Sequence, residues 1–133
     1  MKYKLRSTEQ VRTVKATIAS ATVIEAGDLV AIDTGLIIKA VAASTEVAYA
    51  TQASAVGDVL IDVTIGNDFE LEGTGDAVFA VSYKGGEYDI NDTTQTIDVG
   101  ASSTNVLKVS IGQDAGTVDS ADNFVVKINK PLF

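Results

Sequence analysis

The sequence predicts an all-β fold, either a compact antiparallel β-sandwich or a small barrel, with an N-terminal arm. β-branched residues are abundant, since Val, Ile and Thr account for 42 of the 133 residues, and such side chains favour strands over helices. Short apolar or alternating segments recur at intervals of roughly 8–12 residues, with turn residues between them. No stretch of ten residues is a convincing helix, and the Ala-rich residues 40–55, the one rival, contain Val41, Thr45, Val47 and Thr51, which disfavour a helix.

The first half of the chain contains a clear hairpin signal. Residues 11–19 are rich in β-branched side chains and are predicted to form a strand. Leu29–Asp33 and residues 36–41 are apolar runs joined through Thr34 and Gly35. Because Gly adopts positive φ angles without strain, this junction predicts a β-hairpin.

The middle of the chain continues the pattern of strands and turns. Residues 59–65 alternate from Ile61 onward, so Asp62 and Thr64 are expected on one face and the apolar side chains on the other. Residues 73–76 are predicted to be a turn, and residues 77–83 are predicted to be the strand after it. Residues 84–87, with two consecutive glycines, predict a hairpin turn.

One short sequence recurs along the chain. Gly27-Asp28 before a strand is echoed by Gly57-Asp58 and by Gly75-Asp76. A repeated ligand loop is one interpretation of the echo. The favoured interpretation is a recurring turn that begins a strand, in which Asp bonds to the backbone of the turn.

The composition excludes several kinds of chemistry. The chain has no Cys and no His, which excludes disulfides, zinc–thiolate sites, thiol nucleophiles and a Ser–His–Asp triad. Glu70 and Glu72 could act as the catalytic acid and base of a glycosidase. The simpler interpretation is that both side chains lie on a solvated face at a sheet edge. We therefore predict that the protein is not an enzyme and needs no cofactor.

Acidic residues in the last third of the chain are candidate metal ligands. Asp114, Asp119 and Asp122 lie in one Gly- and Asp-rich segment. Carboxylate oxygens bind Ca²⁺, but the spacing does not match a calcium-binding loop. We predict no metal site, and assign these residues to the solubility and turns of the loop.

Charge is distributed unevenly along the chain. Residues 1–15 contain five basic residues and one acidic residue, a balance of +4, whereas residues 16–133 contain five basic and 17 acidic residues, a balance of -12. We interpret residues 1–15 as a basic N-terminal arm or first strand and residues 16–133 as a single all-β domain. An acidic body disfavours nucleic acid as a partner, and no apolar run is long enough to indicate a membrane partner.

The segment from Val23 to Ala40 supplies a family resemblance. The run Ala26-Gly27-Asp28-Leu29-Val30, followed by Gly35-Leu36-Ile37, resembles small capsid decoration (cement) proteins of tailed bacteriophages. Residues 45–50 and the following Gly57-Asp58 fit the same pattern. The resemblance covers roughly residues 20–85 and depends on short, turn-like motifs.

The resemblance implies a structural role on the outer surface of a phage head. The partner would be the major capsid protein, and the protein would bind as a homotrimer that bridges neighbouring capsomers and stabilises the shell. A terminal arm would contact the capsid, which assigns capsid binding to the basic residues of the first segment: Lys2, Lys4, Arg6, Arg12 and Lys15. Another virion structural or surface-binding β module, such as a tail tube, a fibre or a carbohydrate-binding domain, stays open as the alternative.

Overall fold

A computed structural model of the chain describes residues 3–6, 12–55, 58–66, 69–112, 120–121 and 123–132. Within these residues the strands form two antiparallel sheets, one of six strands and one of five, and the helical structure is a single 3₁₀ turn. The predicted all-β fold is confirmed. Neither sheet is closed into a barrel, so the structure is consistent with the sandwich. No helix of the described residues is long and apolar enough to cross a membrane.

The two sheets take their strands from different parts of the chain. The order in the six-stranded sheet is β1 (Tyr3–Leu5), β7 (Leu71–Gly73), β11 (Phe124–Ile128), β10 (Leu107–Val109), β8 (Glu87–Ile90) and β9 (Ile97–Asp98). The order in the five-stranded sheet is β2 (Arg12–Thr17), β6 (Leu60–Ile65), β5 (Ala48–Ala50), β3 (Leu29–Asp33) and β4 (Leu36–Lys39). The consecutive strands β1 and β2 therefore belong to different sheets.

In each sheet, a single parallel bridge joins segments near the margins. Ile18, just after β2, bridges to Ile37 in β4 at the opposite edge of the five-stranded sheet. Gly75, just after β7, bridges to Ile97 in β9. Each of these contacts is one isolated bridge, so the sheets remain open along the rest of their edges.

Two apolar clusters fill the fold, one on each face of the five-stranded sheet. Along β3, Leu29 and Ala31 belong to the larger cluster, whereas Val30 between them belongs to the smaller one. Since side chains alternate between the faces of a strand, β3 is buried on both sides. The larger cluster joins the two sheets, and its bulkiest members include Tyr3, Phe69, Leu71, Phe79, Ile90, Leu107, Phe124 and Ile128. The smaller cluster consists of Ile18, Ile24, Val30, Ile37, Ala48, Ala50, Ile61 and Val63.

Two glycines allow aromatic rings to lie directly against neighbouring backbone. A Cβ atom at Gly73 would come within 2.5 Å of the Tyr3 ring, and one at Gly75 would overlap the Phe124 ring. The predicted turn over residues 73–76 is wrong at Gly73, which is the last residue of β7 and pairs with Tyr3 and Phe124. These glycines mark close ring packing.

The predicted strand over residues 77–83 is also wrong. Its end, Val81–Tyr83, is the 3₁₀ turn, and β8 pairs with β9 and β10 instead of with a preceding strand. The hairpin predicted at residues 84–87 is therefore absent from this part of the chain, although Gly85 has the positive φ of a turn. The segment is irregular where the Tyr83 ring stacks on Phe124, with 6.2 Å between the ring centroids.

A buried glutamine connects the two sheets. Gln95 lies in the loop between β8 and β9 with only 2% of its surface exposed. Its Oε1 accepts a hydrogen bond from Leu29 N (2.9 Å), and its Nε2 donates to Leu29 O and to Ala40 O (2.8 Å each). The amide thus continues the hydrogen bonding at the end of the β3–β4 pair. Both N–H groups of Nε2 and one lone pair of Oε1 have partners, and the other lone pair of Oε1 has none among the described residues.

The same loop holds β1 in place. The Tyr3 hydroxyl donates a 2.7 Å hydrogen bond to Gln95 O, and the Tyr49 hydroxyl donates to Tyr3 O at 3.1 Å. Tyr3 is 1% exposed, and burial raises its pKa above the ordinary value. Tyr3 is consequently a core residue, and β1 is an integral part of the fold.

We predict that Gln95→Ala lowers the free energy of unfolding by about 2–4 kcal/mol, because backbone groups of Leu29 and Ala40 lose buried partners. Urea unfolding measures the change. Gln52→Ala is the matched control, since Gln52 is exposed, and its effect should stay within about 0.5 kcal/mol. Equal stabilities of the two variants would contradict the role of the Gln95 amide.

Thr64 departs from the polar face that the sequence predicts for it. The side chain is fully buried, and its hydroxyl has no hydrogen-bond partner among the described residues. Its cross-strand partner, Thr13, is exposed. A buried hydroxyl without a partner destabilises the folded state.

We predict that Thr64→Val raises the free energy of unfolding by about 1 kcal/mol, because it replaces the hydroxyl with a methyl group of similar size. Thermal or urea unfolding measures the gain. Thr13→Val changes the same atoms at an exposed position and should alter stability little. A loss of stability in Thr64→Val would show that the hydroxyl has a partner in solution.

Candidate functional site

The basic residues predicted to bind a capsid lie at the edges of both sheets. Lys2 is outside the described residues. Lys4 is in β1 and Arg6 directly follows it, at one edge of the six-stranded sheet. Arg12 and Lys15 are in β2, at one edge of the five-stranded sheet. All four are exposed, so the structure divides the basic segment into two separate edge groups.

The six-stranded edge places cations beside carboxylates. Lys4 is directly opposite Glu72 in the register of β1 and β7. Arg6 N donates a 2.9 Å hydrogen bond to Glu70 O, which puts these two residues side by side on adjacent segments. Opposite charges across neighbouring strands contribute modestly to sheet stability. Glu72 is thus the cross-strand neighbour of Lys4, and Glu70 is hydrogen-bonded through its backbone to Arg6 at the same sheet edge.

The five-stranded edge is formed by β2, which pairs along its whole length with β6. Lys15 Nζ lies 2.9 Å from Asp62 Oδ1, and the Lys15 side chain is 70% exposed. An ion pair this exposed adds little stability. Lys15 and the exposed Arg12 therefore remain accessible to a partner along this edge.

Other acidic side chains accept hydrogen bonds from nearby backbone N–H groups, as those of the repeated Gly-Asp sequence illustrate. Asp28 Oδ2 accepts a 2.9 Å hydrogen bond from Glu25 N, and Asp58 Oδ2 accepts a 2.8 Å bond from Ala55 N. In each turn the Asp N also donates to the carbonyl three residues earlier. The interpretation as a recurring turn is confirmed for these two, although Gly57 lies outside the described residues. The third copy differs, since Asp76 accepts its bond from Val99 N instead.

Asp89 organises the loop before β10. Its carboxylate accepts hydrogen bonds from Ser103 N (3.1 Å), Thr104 N (2.8 Å) and Asn105 N (2.8 Å). Burial alone would raise the pKa of Asp89, but the hydrogen bonds from Asn105, Thr104 and Ser103 outweigh it and hold the pKa below its ordinary value of 3.8. Asp89 is therefore a structural carboxylate.

We predict that Asp89→Asn lowers the free energy of unfolding by about 1–3 kcal/mol at neutral pH, because an amide cannot accept all three N–H bonds. A depressed folded-state pKa stabilises the protein above the unfolded value of 3.8, and this contribution is lost as pH falls through the folded-state pKa. The difference between wild type and variant should therefore narrow in acid. Urea unfolding at neutral and acidic pH measures it.

Asp33→Asn, at an exposed position, is the control for that experiment and should change stability little at either pH. If the free energies of unfolding of wild type and Asp89→Asn differ by the same amount at every pH, the stabilising role of the ionised Asp89 carboxylate is contradicted.

Metal chemistry finds no support in the described part of the chain. It contains no group of three or more Asp or Glu side chains placed to hold a metal ion. The candidate calcium ligands Asp114, Asp119 and Asp122 lie outside the described residues. The basic residues that the sequence singles out lie, where the structure describes them, at one edge of each sheet.

Comparisons with known proteins leave the function to be argued from the chain itself. No protein-family model, no curated protein and no solved structure matches it. What the structure establishes is the two-sheet all-β architecture. The basic sheet edges are the candidate surfaces for the capsid binding that the sequence leads us to expect.

Proposed function

We propose that the protein is a capsid decoration (cement) protein, which binds the outer surface of a phage head and stabilises the shell by bridging neighbouring capsomers. The major capsid protein is its partner, and a homotrimer is its bound form. The observation that carries the proposal is the exposure of Lys4, Arg6, Arg12 and Lys15 on two sheet edges of an otherwise acidic body. The resemblance of residues 20–85 to decoration proteins supports it.

The edges suit attachment to a large surface because the fold holds them rigidly. β1 is fixed by the buried Tyr3 ring and its bond to the Gln95 carbonyl. β2 is fixed by six register pairs with β6. Groups held in place before binding lose little conformational freedom when they bind, which favours affinity.

The charge distribution fits an acidic protein partner. Residues 16–133 carry a balance of -12, which keeps the body away from acidic surfaces and orients the basic edges toward them. Individual contacts of this kind are weak. A trimer that engages several capsomers at once gains avidity from the number of contacts.

Point substitutions test the edges better than deletion of residues 1–15. Such a deletion removes β1 and four of the six residues of β2, and with them the buried Tyr3. We expect the truncated chain to lose its fold, so that its failure to bind would say nothing about attachment. Neutral substitutions at exposed positions leave the core unchanged.

We predict that a fourfold variant, in which Lys4, Arg6, Arg12 and Lys15 are each changed to Gln, binds undecorated heads of the cognate phage about ten-fold more weakly, because each exposed ion pair contributes up to about 1 kcal/mol. Wild-type binding should weaken with salt. Co-sedimentation with the heads measures both effects.

The matched control removes the same charge elsewhere, by changing Lys84, Lys108, Lys127 and Lys130 to Gln, and should bind like wild type. Equal losses of affinity in the two fourfold variants would mean that binding depends on the net charge of the protein and not on the basic residues at the sheet edges. If wild type does not bind the heads, the proposed function is wrong.

A further inference from the structure

An open groove lies beside the β3–β4 hairpin, and none of the basic edge residues Lys4, Arg6, Arg12 and Lys15 lines it. It has a volume of about 420 Å³, which is within the size range of ligand-binding clefts. Apolar side chains form much of its lining, notably Ile32, Ile38, Val41 and Leu132. Ile32 and Val41 are 40% and 38% exposed, so the groove presents large apolar side chains to solvent.

The walls of the groove are preformed. On the loop side, Val41 N donates to Ser44 Oγ at 3.0 Å, and Ser44 N donates back to Val41 O at 2.9 Å. The same loop is tied to the six-stranded sheet by Ala42 N, which donates to Asp92 Oδ1 at 2.8 Å. A ligand would meet this wall already in position.

The wall formed by the last residues is fixed in the same way. Val47 N donates to Lys130 O, and Leu132 N donates to Val47 O, both at 3.0 Å. These bonds hold Leu132 against the five-stranded sheet at one side of the groove. Binding there would require little reordering of the chain, which favours association.

The groove is acidic. The ionisable side chains that the described residues contribute to its lining are Asp33 and Glu46, and both are exposed carboxylates. Ser44 and Thr45 add hydroxyl groups. A largely apolar lining that also carries two exposed carboxylates is complementary to an apolar side chain that is flanked by cations.

We infer that this groove binds a segment of a partner polypeptide in which an apolar side chain is flanked by Lys or Arg. The apolar side chain packs against Ile32, Val41 and Leu132. The flanking cations pair with the Asp33 and Glu46 carboxylates. This site does not depend on the proposed attachment to a phage head, and it differs from the basic edges in both position and sign of charge.

The test uses short capped peptides with the full-length, ¹⁵N-labelled protein. A Gly-Lys-Leu-Lys-Gly peptide is titrated to millimolar concentration while the backbone amide resonances are recorded by NMR. Gly-Glu-Leu-Glu-Gly and Gly-Lys-Ser-Lys-Gly are the comparison peptides. We expect saturable shifts from the Lys-Leu-Lys peptide centred on residues 31–46 and 132, weaker shifts from the Lys-Ser-Lys peptide and none from the Glu-Leu-Glu peptide.

Two variants locate the site. Asp33→Asn with Glu46→Gln should weaken binding of the Lys-Leu-Lys peptide about two- to ten-fold, the size expected for exposed ion pairs. Glu25→Gln with Glu70→Gln removes the same charge outside the groove and should leave the affinity unchanged. Val41→Ser should weaken the Lys-Leu-Lys peptide more than the Lys-Ser-Lys peptide, because it removes apolar contact.

Several results would overturn the inference. One is the absence of saturable shifts, and another is equal shifts from the Lys-Leu-Lys and Glu-Leu-Glu peptides. Equal weakening in the two charge variants would show that the peptide responds to net charge alone. If sedimentation shows a dimer that Val41→Ser dissociates, a second copy of the chain covers the groove instead of a basic segment.

Discussion

The buried amide of Gln95 is the interaction on which the relation between the two sheets depends. It lies in a loop of the six-stranded sheet and forms three hydrogen bonds to backbone groups of the five-stranded sheet. Apolar packing between the sheets is strong but non-directional. Hydrogen bonds in a buried site are directional, and leaving their groups without partners is unfavourable. Gln95 therefore selects one relative position of the sheets among those that the apolar core would allow.

This constraint extends to the chain terminus and so to the candidate site. The Gln95 carbonyl accepts the Tyr3 hydroxyl, and the Tyr3 ring covers Gly73. As a result Lys4 and Arg6 project from a sheet edge that is tied to the core. The basic segment, which resembles a solvated arm when only its charge is considered, contributes its described strands to two different sheets. Any partner of Lys4, Arg6, Arg12 and Lys15 thus meets two fixed edges.

The features that were predictable from sequence are the local ones. The β3–β4 hairpin follows from apolar runs around Thr34 and Gly35, and the Gly27-Asp28 turn follows from the tendency of Asp side chains to accept hydrogen bonds from the turn backbone.

Gln95 belongs to a polar loop in sequence, and its burial depends on Leu29 and Ala40, which are more than fifty residues away. Thr64 fits an alternating strand, but the fold buries its side chain completely. The acidic groove was likewise unpredictable, because it needs the hairpin, a loop and the last residues to meet.

The most direct test of the functional account is cryo-electron microscopy of undecorated heads of the cognate phage mixed with the purified protein. We expect ordered density at fixed positions of the outer lattice, with the β1 and β2 edges facing the shell and contacts to more than one capsomer. Heads without ordered density would contradict the role in decoration. Ordered density in which both edges face solvent would retain the role and contradict the proposed mode of attachment.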